Sequence, residues 1–121
     1  MKFMLLIYHD EKVWERLTEA ERQAIYVEYR QLIQRLQTEG KYQVGDQLQS
    51  TSTASSVRVR EGKQLVTDGP FAETREQLGG FFMIDAKDAA EATSIASQIP
   101  SARMGTIEIR PVVPKAEPMT A

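Results

Sequence analysis

The sequence predicts an α+β fold built as one domain, and three observations carry that expectation. Phe3-Met4-Leu5-Leu6-Ile7-Tyr8 and Gly80-Phe81-Phe82-Met83-Ile84 are apolar at both parities, the pattern of central strands covered on both faces. Two other segments carry helix start signals followed by a one-sided apolar stripe. Between and after them come shorter segments that alternate, as half-buried strands do. At 121 residues the chain can close one core that buries roughly two thirds of its unfolded surface, and it is too short for two.

The first strand is expected at Phe3 to Tyr8. Thr18-Glu19-Ala20-Glu21 matches the capping box, in which Thr18 accepts from a free amide and Glu21 reaches back to another. A helix therefore runs from Glu19 to Glu39. Ile25, Tyr29, Leu32, Ile33 and Leu36 form its apolar stripe, and Gly40 supplies a left-handed stop. Val44 to Leu48 reads as a short strand, and Ser50-Thr51-Ser52-Thr53 as a polar connector. Ser56 to Arg60 alternates, Glu61-Gly62 turns, and Gln64 to Thr67 returns, which together make a hairpin. Gly80 to Ile84 is the second central strand. Asp88-Ala89-Ala90-Glu91 repeats the start signal, and Ala92, Ile95, Ala96 and Ile99 form a stripe that ends at Pro100. Thr106 to Arg110 alternates as the last strand. The domain is expected to span 1–112, and the proline-bearing segment 113–121 to be a flexible tail.

Two strand-helix-strand units in series, each with a right-handed crossover, give a ferredoxin-like βαββαβ unit with an inserted hairpin and both helices on one face of the sheet. The two central strands are apolar on the other face as well. Bare sheet of that kind exceeds what monomers tolerate, so a homodimer with sheets packed face to face is expected.

Basic and acidic residues number 15 and 17, for a net charge of -2, and they are interleaved. Without clustered Lys and Arg, direct nucleic-acid binding is not expected. The chain has no cysteine, which removes disulfides, thiol nucleophiles and zinc-thiolate sites, and suits a cytoplasmic protein. His9-Asp10-Glu11 interrupts the first apolar run where a signal peptide would continue, and no run approaches the roughly 20 residues that span a bilayer. One histidine leaves only all-oxygen metal sites, and no calcium-loop spacing is present. Neither a P-loop nor G-x-G-x-x-G occurs, so no cofactor is expected from those devices.

Asp68-Gly69-Pro70-Phe71, with Ala72-Glu73-Thr74-Arg75-Glu76-Gln77-Leu78-Gly79-Gly80-Phe81 after it, resembles the signature of the DGPF branch of the YCII-related family. The likeness extends to the opening Met-Lys-Phe-Met-Leu-Leu-Ile-Tyr, to Ser56–Arg60 and to Gly105–Val112. It implies a dimeric α+β barrel built on the ferredoxin-like unit. Members of the family have been suspected of enzymatic activity because of a His and Asp pair, and some occur with extracytoplasmic-function sigma factors. By spacing, Tyr29 stands where that His would be and Ile99 where the Asp would be. The pair does not carry over to this chain.

The residues themselves offer five candidates for a site. His9, the only histidine, ends a central strand, a position from which an imidazole reaches a cavity as acid or base. Asp68 either makes a tight turn with Gly69, its carboxylate capping amides, or aims that carboxylate into a pocket as a base. Tyr8 and Phe71 would bind substrate beside them, although Phe71 also reads as a core plug. Arg75 would hold an anionic ligand as a bidentate donor, or else pair with Glu73 and Glu76 in solvent. These candidates support a small-molecule binding protein or cofactor-independent enzyme with a pocket near the Asp68–Phe71 loop. The alternative, from the resemblance alone, is a regulatory module acting with a sigma factor.

Overall fold

The computed structural model describes residues 1–115. Its elements run β1 (Lys2–His9), α1 (Glu11–Arg16), α2 (Glu19–Thr38), β2 (Tyr42–Gln47), β3 (Ser55–Arg60), β4 (Lys63–Asp68), β5 (Gln77–Asp85), α3 (Ala89–Ser97) and β6 (Thr106–Pro111). Short 3-10 turns lie at Thr51–Thr53 and Pro100–Arg103. A four-stranded sheet has the order β2-β5-β1-β6, antiparallel throughout, and β3 pairs with β4 in a separate ribbon. The connection from β1 to β2 passes over β5, and the connection from β5 to β6 passes over β1. β1 and β5 are the two inner strands, as their apolar runs predict.

Parity decides what each inner strand buries. Phe3, Leu5 and Ile7 of β1 and Phe82 and Ile84 of β5 are buried beneath the helices with Leu32, Leu36, Ala92, Ile95, Ala96 and Ile99. At about 1.5–3 kcal/mol for each fully buried large side chain, this cluster is the main source of stability. Met4, Leu6, Phe81 and Met83 alternate onto the opposite face and stay partly exposed. Met4 pairs with Met83 and Leu6 with Phe81, so the apolar side chains form a continuous row across that face.

The helix signals act as read. The Glu21 amide donates to Thr18 Oγ1 at 3.1 Å while the Thr18 amide donates to Glu21 Oε1 at 2.9 Å, closing the capping box of α2. Gly40 has φ +72° immediately after the helix, a conformation glycine adopts without strain. Asp88 caps α3 through the Glu91 amide at 2.9 Å. In the ribbon, Arg60 pairs with Lys63 across Glu61 (φ 52°) and Gly62 (φ +75°), the left-handed pair that a two-residue hairpin turn needs.

Three elements do not follow from the sequence signals, one of them the 3-10 turn at Thr51–Thr53 within the expected polar connector. α1 is only six residues long, too short for an apolar stripe, and is capped by Asp10, which accepts from the Lys12 amide at 2.9 Å. Pro100 starts a 3-10 turn at its first position rather than simply closing α3. The ribbon stands away from the main sheet, leaving Val57, Val59, Leu65 and Val66 all at least half exposed. The expected tail at 113–121 lies largely outside the described residues, and 112–115 carry no regular element.

Candidate functional site

A cavity of about 170 Å³ lies between the helix-covered face of the sheet and the helices α1 and α2. Ile7, Gly79, Gly80 and Phe82 come from the sheet, Trp14 from α1, and Tyr26, Tyr29 and Ile33 from α2. Tyr42 and Gln47 of β2, Ser101 of the 3-10 turn, and His9 complete most of its wall.

His9 is placed by two glycines. Ile7 pairs with Gly80 and Tyr8 with Leu78, so Gly79 is the extra residue of a bulge in β5. A Cβ on Gly79 would stand 2.2 Å from His9 Cε1 and 2.6 Å from Nδ1, so the imidazole occupies the space a side chain would fill. On the other flank, a Cβ on Gly105 would stand 2.1 Å from the Tyr8 carbonyl oxygen and 3.0 Å from His9 Cα. The half-buried ring lies 5.8 Å from that of Trp14, which meets Tyr26 edge-on at 5.7 Å. Among the described residues, no hydrogen bond engages either ring nitrogen of His9. Burial pushes its pKa below the ordinary histidine value, against the opposing pull of Glu11, Glu76 and Asp10. At neutral pH the ring is therefore biased toward the uncharged form, with one nitrogen to donate and one to accept.

α1 holds Trp14 over the cavity because it is tied on three sides. The Glu11 amide donates to Gln77 Oε1 at 3.0 Å, linking the helix to the start of β5. The Glu11 carboxylate accepts from the Thr51 amide at 2.8 Å and the Thr51 hydroxyl at 2.9 Å, linking it to the loop before the ribbon. Arg22 of α2 donates to the Leu17 carbonyl at 2.9 Å.

A second polar group faces the same space. The hydroxyls of Tyr29 and Ser101 lie 2.5 Å apart, and Ser101 is buried. Burial raises the Tyr29 pKa, and the hydrogen bonds with Ser101 act in the opposite sense. Phe82 stands edge-on to Tyr29 at 6.1 Å and to Tyr42 at 5.3 Å, so these rings hold one another in place. The Tyr26 hydroxyl accepts from Gln47 Nε2 at 3.2 Å. Of the lining residues only Asp46 carries a fixed formal charge, and no Lys or Arg is among them.

Of the five residues singled out from sequence, His9 alone lines this cavity. Tyr8 points to the opposite face, where its hydroxyl donates to Glu108 Oε1 at 3.2 Å. Burial, then Glu108, raises its pKa. Asp68 ends the exposed strand β4. Its neighbour Gly69 has φ +98°, donates to the Ala54 carbonyl at 2.7 Å, and accepts from the Ser56 hydroxyl at 2.8 Å. Phe71 is 82% exposed, so it is not a core plug, and Arg75 is exposed. Asp68, Phe71 and Arg75 thus do not line the cavity, which lies between the sheet and α2. Of the two positions matched by spacing, Tyr29 lines the cavity and Ile99 is buried in the core, while the Tyr29 hydroxyl meets Ser101 two residues further on.

Trp14, Tyr26, Tyr42, Phe82 and Ser101 were not singled out. The Asp10-Glu11 pair is a helix start signal that would have placed Trp14 one turn beyond His9. Tyr26 and Tyr29, three apart on α2, show an aromatic edge beside the apolar stripe. Nothing in the sequence marks Ser101.

No helix among the described residues is long and apolar enough to cross a membrane. Compared with known proteins, residues 1–116 match the YCII-related domain. The chain is also 32% identical over 114 residues to "Uncharacterized protein R00369" of Rhizobium meliloti (strain 1021), covering 93% of this chain and 92% of the relative. A family match over almost the whole length, joined to a relative aligned end to end, means that this chain belongs to the YCII-related family.

Proposed function

We propose that this protein binds a small molecule in the cavity beneath Trp14, with His9 as the group that exchanges a proton or hydrogen bond with it. The single observation that supports this best is the His9 ring: half-buried, wedged against Gly79, and free of any hydrogen bond among the described residues. Ring nitrogens that no protein group engages are free to meet a ligand, and titratable groups perturbed by burial in a cleft recur at functional sites. No cofactor is needed for acid-base chemistry by an imidazole. Asp68, Phe71, Arg75 and Tyr8 contribute to such a site only if a second copy of the chain brings them to it.

The topology β2-β5-β1-β6 supports a ferredoxin-like unit with an inserted ribbon. The row of Met4, Leu6, Phe81 and Met83 supports a homodimer formed through the open sheet face, as in a dimeric α+β barrel. The DGPF stretch supports membership of that branch, and the lack of cysteine a cytoplasmic setting. A stable monomer in sedimentation at micromolar concentration would rule out the dimer.

A second function is favoured by a different observation. One face of the ribbon exposes Val57, Val59 and Val66, an apolar surface suited to a protein partner such as a sigma factor. A thermal-shift screen of metabolites against wild type and His9→Ala separates the two. Compounds that stabilise wild type and not the variant support the cavity. If no metabolite shifts the wild-type midpoint while a transcription protein is retained by immobilised wild type, the interaction module is correct and the cavity reading is not.

A further inference from the structure

Resting on the cavity as the binding site, we infer the class of its ligand: a neutral, flat, single-ring molecule carrying a hydroxyl group, with phenol as the simplest probe. Size sets the first limit. A cavity of about 170 Å³ compares with engineered cavities of roughly 150 Å³ that take up benzene, so it accommodates a single ring.

Charge sets the second. With no Lys or Arg in the wall, an anion would be buried without a counter-charge, which is strongly unfavourable, and Asp46 adds to the repulsion. A compact cation would need aromatic faces converging on one point. Here the rings are taken up with one another: Trp14 with Tyr26, and Phe82 with both Tyr29 and Tyr42, all edge-on. A wall of aromatic and aliphatic side chains of this kind packs against another flat, apolar ring.

Polar groups set the third. His9 offers an accepting nitrogen with no partner among the described residues, and the Tyr29–Ser101 hydroxyl pair offers a second contact. A hydroxyl on the ring donates to His9 and leaves neither group unsatisfied. A plain hydrocarbon ring leaves His9 buried more deeply without a partner.

Trp14 is the only tryptophan of the chain and lines the cavity, so its emission reports occupancy directly. The full chain is titrated with phenol, toluene, benzoate and tetramethylammonium, following Trp14 emission and heat. The expected result is saturable binding of phenol, at least tenfold tighter than benzoate or tetramethylammonium. His9→Ala should narrow the preference for phenol over toluene about fivefold, the loss of roughly one hydrogen bond. Should that variant not fold, Ser101→Ala serves the same purpose. Ile33→Phe, which narrows the cavity, should weaken every probe that enters it. Tighter binding of benzoate or tetramethylammonium that Ile33→Phe abolishes would keep the cavity as the site and overturn the ligand class. Phenol binding that Ile33→Phe leaves unchanged would place the probe elsewhere and overturn the inference. No saturation by any of the four would remove the cavity reading itself.

Discussion

Replacing Gly79 by alanine tests whether the glycine bulge is what seats His9 in the cavity. The added carbon would lie 2.2 Å from His9 Cε1 and 2.6 Å from Nδ1, where ordinary contacts begin at 3.4 Å. Two responses are available. The imidazole can rotate away, at about 0.5–1.5 kcal/mol for a poorer rotamer and a similar loss of its contact with Trp14. Alternatively the strands can yield around it, at about 1–3 kcal/mol for overpacking. Alanine returns about 0.4–1 kcal/mol by restricting the unfolded chain. The net expectation is a loss of about 1–2 kcal/mol, or about 4–8 °C in midpoint for a domain of this size. Urea denaturation followed by Trp14 emission gives the stability, and NMR titration of the single histidine gives the seating. If the ring is expelled, its pKa moves up toward the ordinary value, because the burial that depresses it is gone. The double variant His9→Ala/Gly79→Ala should lose less than the two single losses added together, since the clash needs both groups. Wild-type stability, an unchanged His9 titration and additive losses would refute the idea that Gly79 makes room for the imidazole.

Three further outcomes follow from the same geometry. Because burial depresses the folded-state pKa of His9, the unfolded chain takes up its proton first as pH falls. Its contribution to stability should be complete above the ordinary histidine pKa and decline as pH drops toward the folded value, a decline that His9→Asn removes in urea titrations at several pH values. Tyr29→Phe strands the buried Ser101 hydroxyl and should cost about 1–3 kcal/mol, whereas Tyr29→Phe/Ser101→Ala should recover part of that loss in the same assay. Thr18→Ala removes the cap of α2 and should cost about 1 kcal/mol by thermal unfolding, with probe binding at the cavity unchanged.

The fold was legible where a signal repeats. Phe3 to Tyr8 and Gly80 to Ile84 announce inner strands because they are apolar at both parities, one face packing beneath the helices and the other carrying the open row of Met4, Leu6, Phe81 and Met83, and the stripe through Leu32 and Leu36 points α2 at the core. Capping chemistry is local, so Thr18, Gly40 and Asp88 fixed the ends of their helices without tertiary information. Asp68-Gly69 was legible as a turn for the same reason, through the positive φ of Gly69. What this stretch faces was not legible, since exposure depends on how the ribbon departs from the sheet. Phe71, an aromatic residue beside a turn, reads locally as a core plug, yet it is exposed because the ribbon does not join the core.

The cavity was hidden for a different reason, because its makers act one at a time. His9 was visible as the lone imidazole at a strand end, but strand parity alone puts Tyr8 and His9 on opposite faces, so at most one of the two could share a pocket with the helices. Ile7 and Phe82 are buried beneath the helices, which assigns His9 to that side and Tyr8 to the other. The space in front of His9 depends on Gly79, and a glycine pair at a strand start serves packing or a ligand equally well until the register is known. Trp14 closes the space from a helix of six residues, below the length at which periodicity can speak. Two of the ties that hold that helix run from Glu11 to Gln77 and Thr51, residues far away in sequence that only the fold brings to it, and the third, from Arg22 to the Leu17 carbonyl, is local. A site assembled from one bulge, one short helix and one 3-10 turn around the edge of α2 has no period of its own, whereas the Asp68 loop carries its signal in one contiguous stretch.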